Sequence, residues 1–235
     1  MTVRVAVIYY SATGTVHALA EALAVGAAAV GADVRLRRVA ELASDDAIDQ
    51  NPLWRQHVNA VAGSVPEAAL DDLAWAEAYA FGTPTRYGAP SAQLKQFIDQ
   101  TGRLWRDGTL ADKPVTAFTS AVNRHGGNEA TILSLGNVFY QWGSLIVLPG
   151  YTDPAVSAAG GNPYGASAFG PPSEAGPSVE ALDAARYQGR RLAEIAIRLR
   201  VAPAAPVPPR VPATAAEPGP EQPLGPREPA GRGRS

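Results

Sequence analysis

The stretch VAVIYYSATGTVHALA, Val5–Ala20, joins an apolar run to a helix-like pattern through a loop of small and hydroxyl-bearing residues. The apolar run ends at Tyr10 and is typical of a strand that is covered on both faces of a sheet. From Val16 onward, apolar residues recur at helical spacing. This strand–loop–helix order predicts the first unit of an α/β fold.

The same alternation continues to about residue 200. Four more strands are predicted at DVRLRRV, AYAFGTPT, PVTAFTSA and SLIVLPGY. Later helices are predicted at SAQLKQFIDQTG, EATILSLGNVFYQWG and VEALDAARYQGRRLAEIAIRLR, and we expect Ile132, Leu133 and Leu135 to be buried. Five strands that alternate with helices predict a doubly wound, five-stranded parallel sheet in three α/β/α layers. The expected strand order is 2-1-3-4-5.

Three segments depart from this minimal pattern. Ser44–Val65 is an insertion after the second strand and cannot be assigned from its sequence. Tyr151–Ser178 is rich in glycine, proline, alanine and serine and is predicted to be a long loop; such loops are functional or disordered, and its two aromatic residues within GGNPYGASAFG favour a function. Residues 201–235 contain ten prolines and no aromatic residue, so we expect a disordered tail after a domain that spans residues 1–200.

Composition excludes several classes of protein. The formal net charge of −2 is too balanced for a nucleic-acid-binding face. The absence of cysteine excludes disulfides and thiolate catalysis, and three well-separated histidines do not suggest a metal site. The first residues lack the apolar segment of a secretory signal, and no apolar run approaches the ~20 residues needed to cross a bilayer. A cytoplasmic protein without membrane insertion is expected.

The loop Ser11–Val16 lies where ligands bind in open α/β sheets, beyond the carboxyl end of a strand. The following helix offers unpaired N–H groups and a positive dipole end, which suit a phosphate. Hydroxyls of Ser11, Thr13 and Thr15 add donors, and Gly14 permits a tight turn. The loop lacks a P-loop lysine and a GxGxxG pattern, which favours one terminal phosphate. A simple turn without a ligand is the alternative.

A second loop, FGTPTRYG, follows the third strand at the same edge. Pro84 restricts the backbone of this turn, and Gly88 allows backbone conformations that other residues disfavour. We expect the turn to present Thr85, Arg86 and Tyr87 outward. A flat heteroaromatic ring could take hydrogen bonds here, although these residues could also be ordinary surface residues. A third loop, SAVNRHGGNE, follows the fourth strand at that edge.

These motifs together resemble a known family, the WrbA-type NAD(P)H:quinone oxidoreductases of flavodoxin-like fold. The resemblance covers about residues 3–199 and is carried by VIYYSATG, FGTPTRYG, QFIDQTGRLW, GGNEATI, PGY, GGNPYGAS and ARYQGRRLAEIA. It implies an FMN cofactor, NADH or NADPH as electron donor, and two-electron reduction of quinones by ping-pong hydride transfer through flavin N5. It also implies a homo-oligomer, a dimer or tetramer, whose flavin sites are lined by neighbouring subunits.

The resemblance also implies which residues form the site, without assigning a catalytic side chain. Trp105 is expected to stack on the quinone. The expected FMN-binding residues come from the three loops and one later helix: Ser11, Ala12, Thr13, Gly14, Thr15, Val16, Pro84, Thr85, Arg86, Tyr87, Gly88, Ser120, Ala121, Val122, Asn123, Arg124, His125, Gly126, Gly127 and Gln141. Arg86 or Arg124 is hypothesised to stabilise the anionic reduced flavin.

The chain also departs from the family pattern at three places. Thr13 stands where an aromatic residue is frequent, Gln141 stands where histidine is common, and the third loop reads AVNRHGG instead of a run of threonine and glycine. These departures keep a second hypothesis open, a non-enzymatic FMN-binding electron carrier or regulatory protein. A flavodoxin-like domain that has lost its flavin is a third.

Overall fold

The computed structural model describes residues 2–173 and 175–201, so the predicted tail lies, except for Val201, outside the described residues. Its sheet contains β1 (Arg4–Tyr9), β2 (Asp33–Arg38), β3 (Ala78–Pro84), β4 (Pro114–Ala121), β5 (Leu145–Ile146) and β6 (Ser167–Phe169). All strand pairs are parallel, and the order β2-β1-β3-β4-β5 confirms the predicted topology.

The fifth strand position is shared by two short strands, whereas the sequence predicted one continuous strand. Strand β5 pairs with the amino end of β4, where Leu145 opposes Pro114. Strand β6 pairs with the carboxyl end of β4, where Ser167 opposes Thr119. Pro149 follows β5 and lacks the N–H that a longer ladder would need. Tyr151–Ser178 is therefore partly structured.

Helices cover both faces of the sheet: α1 (Thr15–Ala28), α2 (Asp45–Asp49), α3 (Pro52–Val61), α4 (Leu70–Trp75), α5 (Ala92–Asp99), α6 (Gly102–Arg106), α7 (Asn128–Trp142), α8 (Pro154–Ala158) and α9 (Val179–Val201). On one face, buried residues of α1 and α9, such as Leu23 and Leu192, form one apolar core. On the other face, α5 and α7 contribute Leu94 and Leu135 to a second core. Two cores on one sheet give the predicted three layers.

One prediction about burial is wrong. Ile132 and Leu135 of α7 are buried, but Leu133 is 50% exposed. The buried face of this helix continues to Phe139 and Trp142, at the helical spacing of three and four residues. Leu133 is rotated by about 100° from Ile132 around the helix axis and so points away from the sheet.

The unassigned insertion Ser44–Val65 forms α2 and α3. Each helix begins at a side chain that accepts a backbone N–H: Ser44 from Ala47 and Asn51 from Leu53. Pro52 occupies the first turn of α3, where its missing N–H costs nothing. No helix within the described parts of the chain combines the length and apolar character needed to cross a bilayer.

Candidate active site

Strands β1, β3 and β4 end at the same edge of the sheet, and the loops that follow them surround a cavity of about 270 Å³. The first loop contributes Ser11, Ala12, Thr13, Thr15 and Val16 to its wall. The second contributes Pro84, Thr85 and Arg86, and the third contributes Ser120, Ala121 and Val122. Parts of all three predicted loops therefore meet around one cavity.

The first loop presents the amino end of α1 to this cavity. Gly14 precedes the helix with φ +94°, and its N–H donates a 3.1 Å hydrogen bond to the hydroxyl oxygen of Ser11. The next N–H groups, at Thr15 and Val16, have no partner within the helix because of helix geometry. No acidic residue lies in the first turn. The positive end of the α1 dipole can therefore receive an anion.

The second and third loops are tied to each other beside the cavity. The N–H of Thr85 donates to the carbonyl of Ser120 at 2.8 Å, and the hydroxyl of Thr131 donates to that of Thr85 at 2.6 Å. A Cβ on Gly127 would lie 2.9 Å from Cα of Gly88, so both loops depend on this close backbone approach. Gly88 and Gly127 therefore shape the site without lining it.

Several predicted residues of these loops lie outside the cavity wall. Tyr87 adopts a left-handed backbone, φ +54°, and its side chain is fully exposed. Asn123, Arg124 and His125 are exposed at the tip of the third loop. The Arg124 guanidinium lies 4.7 Å from the centre of the Phe169 ring. Of the two arginines proposed to act on the flavin, only Arg86 lines the cavity.

Within one chain, Trp105 and Gln141 lie together at the opposite edge of the sheet. The indole N–H of Trp105 donates to the backbone carbonyl oxygen of Gln141 at 2.7 Å, and both residues line a separate shallow pocket. Gln141 lies in the last turn of α7, just before β5, which pairs with the amino end of β4. Helix α5 runs from the cavity edge toward this edge, which carries Trp105 away from the cavity.

Four further residues line the cavity without having been predicted. Asn51 caps the start of α3, Trp54 lies in α3, and Gly170 and Pro172 follow β6. The Asn–Pro sequence that starts α3 is a recognisable helix start, but nothing local indicates where α3 packs. Gly170 and Pro172 belong to the long loop Tyr151–Ser178, whose functional role stays a prediction.

The cavity wall has a simple chemical character. Among the described residues that line it, Arg86 is the only charged one and Trp54 is the only aromatic one. The others offer hydroxyl groups, the side-chain amide of Asn51, backbone groups and small apolar side chains. This set suits an anion together with a neutral or weakly polar ring system, and not a cation.

Two imidazoles pack behind the first loop. The rings of His17 and His57 lie 5.2 Å apart, and the Tyr9 hydroxyl lies 2.6 Å from Nδ1 of His17. Burial, together with the neighbouring charges of His17 and Arg38, lowers the pKa of His57 to about 4. His57 is therefore neutral near pH 7.

Comparison with known proteins agrees with this architecture. The family described as NADPH-dependent FMN reductase matches residues 3–154. A Deinococcus radiodurans protein named NAD(P)H dehydrogenase (quinone) is 42% identical over 198 residues, which cover 84% of this chain and 97% of that protein. A Geotalea uraniireducens protein of the same name is 40% identical over 202 residues, which cover 83% and 98% of the two chains.

A solved structure supports the same assignment. The flavodoxin, WrbA-like protein from Agrobacterium tumefaciens superposes with a TM-score of 0.61 and 28% identity, over 84% of this chain and 99% of that one. A flavodoxin from the domain Archaea, at 20% identity and a TM-score of 0.54, shares the fold. This chain belongs to the NADPH-dependent FMN reductase family, in which it is a WrbA-type protein of flavodoxin-like fold.

Proposed function

We propose that this protein is an oxidoreductase that binds FMN in the three-loop cavity and uses NADH or NADPH to reduce quinones by two electrons. The observation that carries the proposal is the convergence of three loops around the amino end of α1. Relatives about 40% identical over most of the chain, named NAD(P)H dehydrogenase (quinone), support the same activity.

The chemistry of the donors fits a phosphate monoester beside a planar ring. Hydroxyls of Ser11, Thr13 and Thr15 and the first N–H groups of α1 can surround a phosphate, and no carboxylate of the described chain lines the cavity to repel it. Pro84–Arg86 and Ser120–Val122 form the walls that would edge the isoalloxazine. The fit supports FMN, whereas a nucleotide triphosphate would be expected to need a P-loop lysine.

FMN held by the three loops would supply the redox chemistry, hydride transfer from a nicotinamide to a quinone. The residues of the chain hold the phosphate, orient the ring and leave one face of it accessible. No side chain needs to act as a nucleophile. A single accessible face would serve nicotinamide and quinone in turn, which predicts ping-pong kinetics.

Trp105 and Gln141 can take part in the site only if copies of the chain assemble. We infer that they complete the cavity of a neighbouring copy in a homodimer or homotetramer, since Trp105 is 49% exposed and lies far from the cavity of its own chain. In that arrangement Trp105 faces the quinone. Sedimentation equilibrium of the FMN-loaded protein tests this, and a monomer at assay concentration would contradict it.

Steady-state oxidation of NADH and NADPH with benzoquinone tests the activity. The FMN-loaded protein should oxidise at least one nucleotide, with parallel double-reciprocal lines at several quinone concentrations. Intersecting lines would contradict the shared face but not the activity. A protein that binds FMN and oxidises neither nucleotide would contradict the enzyme and favour a non-enzymatic electron carrier.

A further inference from the structure

One carboxylate behind the cavity joins three elements, of which α3 contributes Trp54 to the cavity wall. Oε2 of Glu41 accepts hydrogen bonds from the Tyr10 hydroxyl at 2.8 Å and from the Trp54 indole N–H at 3.0 Å. Oε1 of Glu41 accepts one from the Gln93 amide at 2.9 Å. Tyr10 follows β1, Trp54 lies on α3 and Gln93 lies on α5. Glu41 therefore fixes these elements relative to one another.

The arrangement suits an ionised carboxylate. The backbone N–H groups of Leu42 and Ala43 also donate to Glu41, at 2.8 and 3.0 Å. Glu41 is thus the acceptor in each of these hydrogen bonds, as an ionised carboxylate must be. Burial by itself would raise the pKa of Glu41. Hydrogen bonds from the backbone and from the three side chains outweigh burial and hold this pKa below its usual range.

Trp54 connects Glu41 to the cavity, because this residue lines the cavity wall. Its side chain is half-buried and packs against the apolar core on that face of the sheet, while Glu41 holds the indole N–H. Trp54 is also the only aromatic residue among the described residues of the cavity wall. An aromatic side chain that is already fixed loses little conformational freedom when a ring stacks on it.

We propose that Trp54 is the stacking surface of the cavity for a planar heteroaromatic ring, and that Glu41 is the positioning residue that holds it. This inference rests on the proposed function for the identity of the ring. Two rings share the required chemistry, the isoalloxazine of FMN and the nicotinamide of the electron donor. The residue would then set how tightly the protein binds one of them.

The test compares Trp54→Ala with Trp75→Ala. Trp75 is a matched control, because it is also half-buried but lies 4.0 Å from the Arg35 guanidinium and does not line the cavity. Two quantities are measured: the FMN dissociation constant of the apoprotein, from flavin fluorescence, and the KM for NADH and NADPH of the FMN-loaded enzyme. We expect Trp54→Ala to raise one of them by about threefold to tenfold.

The two measurements distinguish the ring that is bound. A raised FMN dissociation constant assigns Trp54 to the isoalloxazine, and a raised KM with unchanged FMN binding assigns it to the nicotinamide. If both quantities match those of the Trp75→Ala control, the stacking role is wrong. If the wild-type protein does not bind FMN at all, the proposed function fails first, and the two failures are thereby distinguished.

A double-mutant cycle tests Glu41. Trp54→Phe keeps an aromatic ring but has no N–H for Glu41. If Trp54→Ala does not fold, Trp54→Leu carries the stacking test, because leucine keeps apolar packing without an aromatic face. We expect Glu41→Gln to weaken ligand binding in the wild type and to add no further loss in the Trp54→Phe background. Fully additive losses would show that Glu41 does not act through Trp54.

Discussion

Gly26 of α1 and Gly189 of α9 lie at the crossing of the two helices, each against the backbone of the other. A Cβ on Gly26 would lie 1.9 Å from the carbonyl oxygen of Arg186, and a Cβ on Gly189 would lie 1.9 Å from that of Leu23. Helix α9 is therefore in backbone contact with the helix whose amino end opens the cavity.

Replacing Gly189 by alanine is expected to force these helices apart. Because the obstacle is backbone and not a flexible side chain, we expect a loss of about 3 kcal/mol in the free energy of unfolding. Urea denaturation measures this loss. Gly63→Ala is the control, since a Cβ there meets no atom within 4 Å. Equal stability of Gly189→Ala and wild type would contradict the packing of α1 on α9.

Ser11→Ala is expected to weaken FMN binding about tenfold, because Ser11 both lines the cavity and orders the loop through the N–H of Gly14. Flavin fluorescence titration of the apoprotein measures the dissociation constant. Ser44→Ala removes a comparable hydroxyl that caps α2 outside the cavity. It should leave FMN affinity unchanged, and an equal effect of both substitutions would argue against a phosphate at the first loop.

Stability should fall in mild acid because of His57. Its pKa is about 4 in the folded protein, below the ordinary 6.5, so the unfolded chain binds more protons between these values. This contribution is complete above about pH 6.5 and is lost as the pH falls toward 4, by up to about 3 kcal/mol.

Urea denaturation at several pH values checks this prediction. His57→Gln should flatten the dependence between pH 6.5 and 4, whatever its effect on stability at pH 7. His125→Gln alters an exposed histidine of the third loop and should leave the slope as in the wild type. A wild-type slope in His57→Gln would show that another group is responsible.

Arg86→Gln is expected to make the midpoint potential of bound FMN more negative by about 20 mV, equivalent to roughly 1 kcal/mol for two electrons. The reason is that a positive charge at the cavity wall favours the negative charge added on reduction. Arg124→Gln is the control, because Arg124 packs over Phe169 and does not line the cavity. Equilibration with redox dyes measures the midpoint potentials of both variants. A shift in Arg124→Gln alone would mean that Arg124, and not Arg86, acts on the flavin.

The strand positions and the three loops were predictable because their signals are local, whereas the strand order was predicted from the order common to flavin-binding folds of this size. Strands β1, β3 and β4 are short, largely apolar runs, β2 alternates apolar and charged residues, and each loop contains small or turn-forming residues such as Gly14 and Gly88. In a parallel sheet these loops must share one edge, so the sequence pattern alone predicts that they meet.

The rest depends on contacts between distant residues. The position of α3 is fixed by contacts such as the bond between Trp54 and Glu41, which no periodic pattern encodes. Strand β6 has three residues and exists through its pairing with β4. The burial of Leu133 was wrongly predicted because an apolar residue next to the buried face of a helix fits the same sequence pattern as the buried residues.

Anaerobic titration with FMN and then NADPH or NADH tests the central claim most directly. The account predicts that the apoprotein binds one FMN per chain and that one of the two nucleotides bleaches the visible flavin absorption, which benzoquinone then restores. A protein that leaves FMN free in solution, or whose bound flavin stays oxidised with both nucleotides, would contradict it.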